Sequence, residues 1–175
     1  MIEMVSGALK WFGGLFYKAY VASHAHSREH DVAIFKKGDA TVNEPLLDNL
    51  LNGNLYNHWC RFSDIREVGH FVREFRREEN QFLDRGVRKA ALNAVGTLQK
   101  VDSFVGQHFF RPLGFPSPEP DGDIMLHLYP ELRHSDEREQ RQRYEQRAQE
   151  LDVLTTAAWV AYRKYRATVR DRLKV

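Results

Sequence analysis

Hydrophobic and polar positions alternate with helical spacing over most of this chain. In residues 2–22 the polar or glycine positions include Glu3, Ser6, Lys10, Gly13, Gly14 and Lys18. This draws one narrow polar stripe on an otherwise apolar helix, which calls for burial on more than one side. Residues 23–37 continue helically, with Val32, Ile34 and Phe35 as inward contacts, and Gly38-Asp39 reads as a break. Asn43 precedes Glu44-Pro45 and predicts a capped short helix with Leu46, Leu47, Leu50 and Leu51 inward, ended by Asn52-Gly53. Residues 54–62 lack a clear period and read as a connector.

A longer pattern follows. Ile65, Val68, Val72, Phe75, Phe82, Val87, Ala90, Ala94, Leu98, Val101, Val105 and Phe109 recur every three or four residues, with a shift near Glu79-Asn80. As one helix, residues 64–109 would extend roughly 69 Å, which favours a break near residue 79. Asp64 with Glu67 has capping-box spacing, with Ser63 as the alternative cap. In the last helix Tyr144, Ala148, Leu151, Leu154, Ala158, Ala161, Tyr162, Tyr165, Val169 and Leu173 form the inward seam, with Ser135 or Asp136 as cap.

Between these halves lies a proline-rich stretch, residues 111–134, with Pro112, Pro116, Pro118, Pro120 and Pro130. Proline lacks an N–H and fixes φ, so no helix runs through it. Ile124 to Tyr129 reads as extended chain, too apolar for a free linker. With Phe109 to Leu113 it could form a short β-hairpin. The expected fold is an all-α bundle of four to six helices, with two long antiparallel helices joined by this Pro-rich excursion. Its parts are N-terminal helices and connector (1–62), a long helical segment broken near 79 (63–110), the Pro-rich connection (111–134) and a long C-terminal helix (135–173), all in one domain of 1–175.

Composition narrows the function classes less than it narrows the fold. Hydrophobic residues at 42% and charged residues at 29% suit a folded core rather than disorder. The net charge of +2 neither demands nor excludes a polyanion partner. Cys60 is the sole cysteine, so no internal disulfide forms, and a reducing, cytoplasmic setting is expected. Beside His58 and Trp59 it reads as a small buried hydrophobe rather than a nucleophile. No transmembrane segment is expected, and Glu3 and Lys10 argue against a signal peptide.

Three groups of residues carry candidate chemistry. His26-Ser27-Arg28-Glu29-His30 resembles the H-x-x-E-H pattern of inverted zincins over those five residues. The resemblance implies Zn²⁺ held by His26 and His30, Glu29 as general base, and a downstream glutamate as third ligand, with Glu74, Glu78 and Glu79 as candidates. The C-terminal run with Arg163, Lys164, Arg166, Arg170 and Arg172 could track a phosphate backbone, although last-turn cations also favour the helix dipole. Trp11, Phe12, Phe16 and Tyr20 suit a subunit interface or core, with peripheral membrane contact through residues 2–22 as the other use. With no nucleotide loop, complete triad or complete metal set in view, the leading expectation is a non-enzymatic helical protein. It would act through protein–protein contacts, as a homo-oligomer or with another partner. A zinc hydrolase and a nucleic-acid-binding protein are the alternatives.

Overall fold

The computed structural model describes residues 25–112, 122–133 and 135–175. These residues are mostly helical, with one small antiparallel sheet. Helix α1 covers residues 25–41. Helix α2 (Glu44–Asp48) widens into a π-helical turn, Asn49–Asn54, and a 3₁₀ turn, Leu55–Asn57. Strand β1 (Trp59–Arg61) leads into α3 (Phe62–Glu74) and then, through a 3₁₀ turn at Glu78–Asn80, into α4 (Arg85–His108). Strands β2 (Phe109–Phe110) and β3 (Met125–Leu128) precede the long α5 (Arg138–Leu173).

Helices α4 and α5 form the spine. Asp84, just before α4, meets Arg172 near the end of α5 at 2.9 Å. At the other end, Phe104 and His108 share a groove with Glu150 and Leu154, so the helices run in opposite directions. The seam of α5 matches the periodic reading except at one step, where Thr155 is buried and Leu154 only partly so. Thr155 Oγ1 donates to the Asp152 carbonyl at 3.2 Å, which satisfies its hydroxyl inside the core. Tyr162, 1% exposed, reaches across to the Val42 carbonyl at 3.1 Å and ties α5 to the end of α1.

Several local expectations are corrected. Gly38-Asp39 does not break α1, which continues to residue 41. Gly38 is buried, and a Cβ there would sit 2.7 Å from Phe75 Cε2 and 3.2 Å from Phe71 Cε2, so this glycine serves close packing against α3. Asn43 caps α2 as expected, its Oδ1 accepting from Leu46 N at 2.9 Å. Asn52-Gly53 does not end that helical path. The wider π turn continues to Asn54 and brings Leu55 inward beside Leu50 and Leu51, and the chain turns only at His58, φ 64°.

Neither Asp64 nor Ser63 caps α3. Its first turn is held from outside by residue 123: Asp123 Oδ1 accepts from Ser63 N at 3.2 Å and Oδ2 from Ser63 Oγ, while the Ile124 carbonyl accepts from Phe62 N at 2.8 Å. Nor does Ser135 or Asp136 occupy the cap of α5; Glu137 does, with Ser135 Oγ accepting from Glu137 N at 3.2 Å.

The sheet has strand order β1-β3-β2, antiparallel throughout. Cys60 pairs with Leu126 in the first ladder, and Phe109 with Leu128 in the second. Residues 59–61, read as connector, are thus a strand. Three residues are too few for an alternation to show in the sequence.

Candidate functional site

In α1, His26 and Glu29 are exposed, while His30 is half-buried and its Nε2 donates to the Gln81 carbonyl at 3.2 Å. Glu74 faces Lys37 at 3.2 Å and Arg77 at 3.0 Å. Glu78 and Glu79 lie exposed in the 3₁₀ turn. Among the described residues no three His, Cys, Asp or Glu side chains are grouped to hold a metal ion.

The basic end of α5 divides. Arg166 pairs with Asp39 and lies 3.2 Å from Glu44, with its guanidinium over Phe35 and Tyr162; Arg172 pairs with Asp84. Both are structural links to neighbouring segments. Arg163, Lys164 and Arg170 remain exposed, Arg163 lying over Trp159. Trp11, Phe12, Phe16 and Tyr20 lie outside the described residues.

Asp31 belongs to no sequence motif. It is 1% exposed, and its carboxylate accepts from Leu83 N at 2.6 Å and from Asp84 N at 2.9 Å. Asp84 in turn caps α4 by accepting from Val87 N at 2.8 Å. With His30 on Gln81 and Arg88 Nε on the Phe82 carbonyl at 2.6 Å, residues 81–84 are clamped from three sides. An acid at a helix N-terminus also meets the positive end of its dipole.

A second cluster surrounds the end of β3. The His58 carbonyl accepts from Leu128 N at 3.0 Å, and the His108 carbonyl from Tyr129 N at 3.2 Å. His58 Nδ1 is hydrogen-bonded to Tyr144 Oη at 2.8 Å, and His108 Nδ1 to Tyr129 Oη at 2.7 Å. Burial lowers the pKa of both histidines. Asp152 opposes that for His58 and Glu150 for His108, while nearby arginines reinforce it. Burial also lowers His127 and, at Tyr144, keeps the phenol protonated. One pair ties the residue before β1 to α5, and the other ties the end of α4 to the residue after β3. Cys60 is buried, and desolvation with the charges of Asp64 and Asp123 pushes its thiol up to about 12, so it is held as the inert thiol.

Along their shared length, α4 and α5 leave an open, mainly apolar groove of about 720 Å³ lined by Asn93, Thr97, Val153, Thr156, Ala157 and Val160, among others. Val153 is 69% exposed and Val160 62%. Asp152 and Lys164 stand toward its two ends along α5.

Family models, curated proteins and solved structures offer no match to this chain. The site is therefore read from its own geometry. Among the described residues, no helix is long and apolar enough to cross a membrane. The groove was indirectly legible, because Val153 and Val160 fall off the inward seam of α5. The Asp31 clamp and the histidine–tyrosine pairs were not.

Proposed function

We propose that this chain is a non-enzymatic helical protein that acts through protein–protein contacts, and that the free face of α5 with the adjoining edge of α4 is its self-association surface. The observation that carries this reading is the outward exposure of Val153 and Val160 along one groove. Gln149, Val153, Thr156, Val160, Arg163 and Ala167 are all exposed and follow a 4-3-4-3-4 spacing, the spacing of a helix–helix seam. Thr156 and Ala157, at the middle, are small enough for close approach.

Charge favours a second copy as the occupant. An antiparallel crossing near residue 157 sets the acid-bearing end of the face, with Asp152, beside the basic end, with Arg163 and Lys164. A parallel crossing sets like charges together. A two-fold interface is self-complementary in this sense. Light scattering over a concentration series tests the reading. The native chain is expected to dimerise and Val160→Glu to be monomeric. Asp152→Lys should weaken the dimer, and adding Lys164→Asp in the same chain should restore it. A native chain that stays monomeric at about 100 μM, well above typical dimer dissociation constants, refutes it.

A further inference from the structure

The small sheet has an outer face that is half-buried at Trp59 and His127 and exposed at Arg61 and Phe110. Side chains alternate across a strand. Cys60, Phe109 and Leu128 are buried, and Leu126 packs against the same core. Their neighbours Trp59, Arg61, Met125, His127 and Phe110 therefore occupy the other side.

The register on that side is specific. Trp59 pairs with His127, and His127 with Phe110, so one ring from each of three strands stands in a single row across the sheet. At ~4.8 Å between strands the row spans roughly 10 Å. Phe110 is 43% exposed although large and aromatic. Beyond it the aromatic surface continues to Tyr129, whose ring centroid is 5.6 Å away. Tyr129 has φ 36°, and its hydroxyl is held by His108 at 2.7 Å. Guanidinium groups flank the row. Arg143 lies 5.6 Å from the centre of the Tyr129 ring, and exposed Arg133 acts electrostatically on His127.

Aromatic rings in a row give every nucleobase a face to stack on, and arginines beside them meet the phosphates between bases. A partner held by apolar contact alone would not draw on the flanking guanidiniums. We propose that the outer face of the sheet binds single-stranded nucleic acid, two or three bases stacking on Trp59, His127 and Phe110 while Arg133 and Arg143 meet the backbone. This surface is separate from the basic end of α5, where Arg166 and Arg172 are engaged within the fold. It is also separate from the α4–α5 groove, so the two proposals stand or fall independently. Duplex nucleic acid keeps its bases stacked on one another and has none to offer.

Fluorescence anisotropy with the full chain tests this, using fluorescein-labelled oligothymidylate and oligouridylate of about ten nucleotides and a duplex of equal length. Saturable binding to at least one single strand is expected, with the duplex at least about tenfold weaker. Phe110→Ala should weaken binding about fivefold or more, and Phe110→Tyr should keep it within about twofold. Arg133→Ala with Arg143→Ala should reduce the slope of log K against log salt by about 1.4. Circular dichroism establishes that each variant is folded, and Val160→Glu should bind as the native chain does. Absence of binding at about 100 μM protein overturns the proposal, as does equal affinity for duplex. Loss of binding on Arg163→Ala with Arg170→Ala but not on Phe110→Ala also overturns it, by moving the contact to α5. If Phe110→Ala changes the sedimentation of the chain and not its oligonucleotide affinity, the face serves a protein partner and the proposal fails.

Discussion

Replacing Asp31 by asparagine should cost the fold at least about half of what replacing it by alanine costs. The carboxylate is 1% exposed and accepts from two consecutive amides, Leu83 N at 2.6 Å and Asp84 N at 2.9 Å. Hydrogen bonds to a charged acceptor contribute about 1.5–3 kcal/mol each, so the pair is worth about 3–6 kcal/mol gross. Against this stands the cost of burying the charge, which alanine removes, and the 46% exposure of Leu83, which lets water reach the freed chain. The expected net loss for Asp31→Ala is about 2–4 kcal/mol, or about 4–16 °C in Tm for a chain of this size. Asparagine fills the same space but offers one oxygen. Its amide nitrogen then faces the second backbone N–H, donor against donor, so about half the loss or more should remain. Urea denaturation gives the comparison, with the m-value as the check that only stability has changed. Exchange at the Leu83 and Asp84 amides should quicken in both variants. If Asp31→Asn lies within about 0.5 kcal/mol of the native chain, the carboxylate is filling space and the clamp is misread.

Three other outcomes are expected. Gly38→Ala gains about 1 kcal/mol in helix propensity but drives a methyl into the Phe75 and Phe71 rings, an overpacking cost of about 1–3 kcal/mol; thermal melting should show a lower Tm, and a higher one would contradict the packing role. The Cys60 thiol, pushed up to about 12, should resist a disulfide reagent at pH 8 in the native protein and react fully in denaturant; prompt native labelling would place it at the surface. His58, His108 and His127 all have folded pKa values below the ordinary 6.5, so the unfolded chain binds more protons as pH falls through and below that value. Their neutral forms therefore sustain full stability above about pH 6.5 and lose it on acidification, and His108→Asn should flatten the urea midpoint between pH 7.5 and 5.5; an unchanged slope would count against burial of that ring.

What could be read from the sequence was what local spacing controls. The Asn43 cap depends on residues three apart, the interruption of the α3–α4 run on a shift of period, and the α5 seam on 3.6-residue repetition. What escaped depends on partners far along the chain. Asp31 finds its amides 52 and 53 residues away, and Asp123 reaches back 60 residues to hold the start of α3 in place of its own capping-box residues. The spacing of His26 and His30 suits a metal pair in any helix, and only the fold shows His30 turned to the Gln81 carbonyl. Trp59, Phe110 and His127 have no sequence relation, and only strand register aligns them.

The order β1-β3-β2 has a kinetic consequence. The strand that comes last in the chain is the central one. Among the described residues neither β1 nor β2 has a ladder partner until β3 arrives, and docking β3 closes a long loop to residue 59 and a shorter one to residue 109 together. Helices α1 to α4 can pack from nearer contacts first, so the sheet should join late in folding. Undocking β3 would unpair both neighbours and withdraw Asp123 from α3, so that a single opening event unmakes the aromatic row and loosens a helix start together.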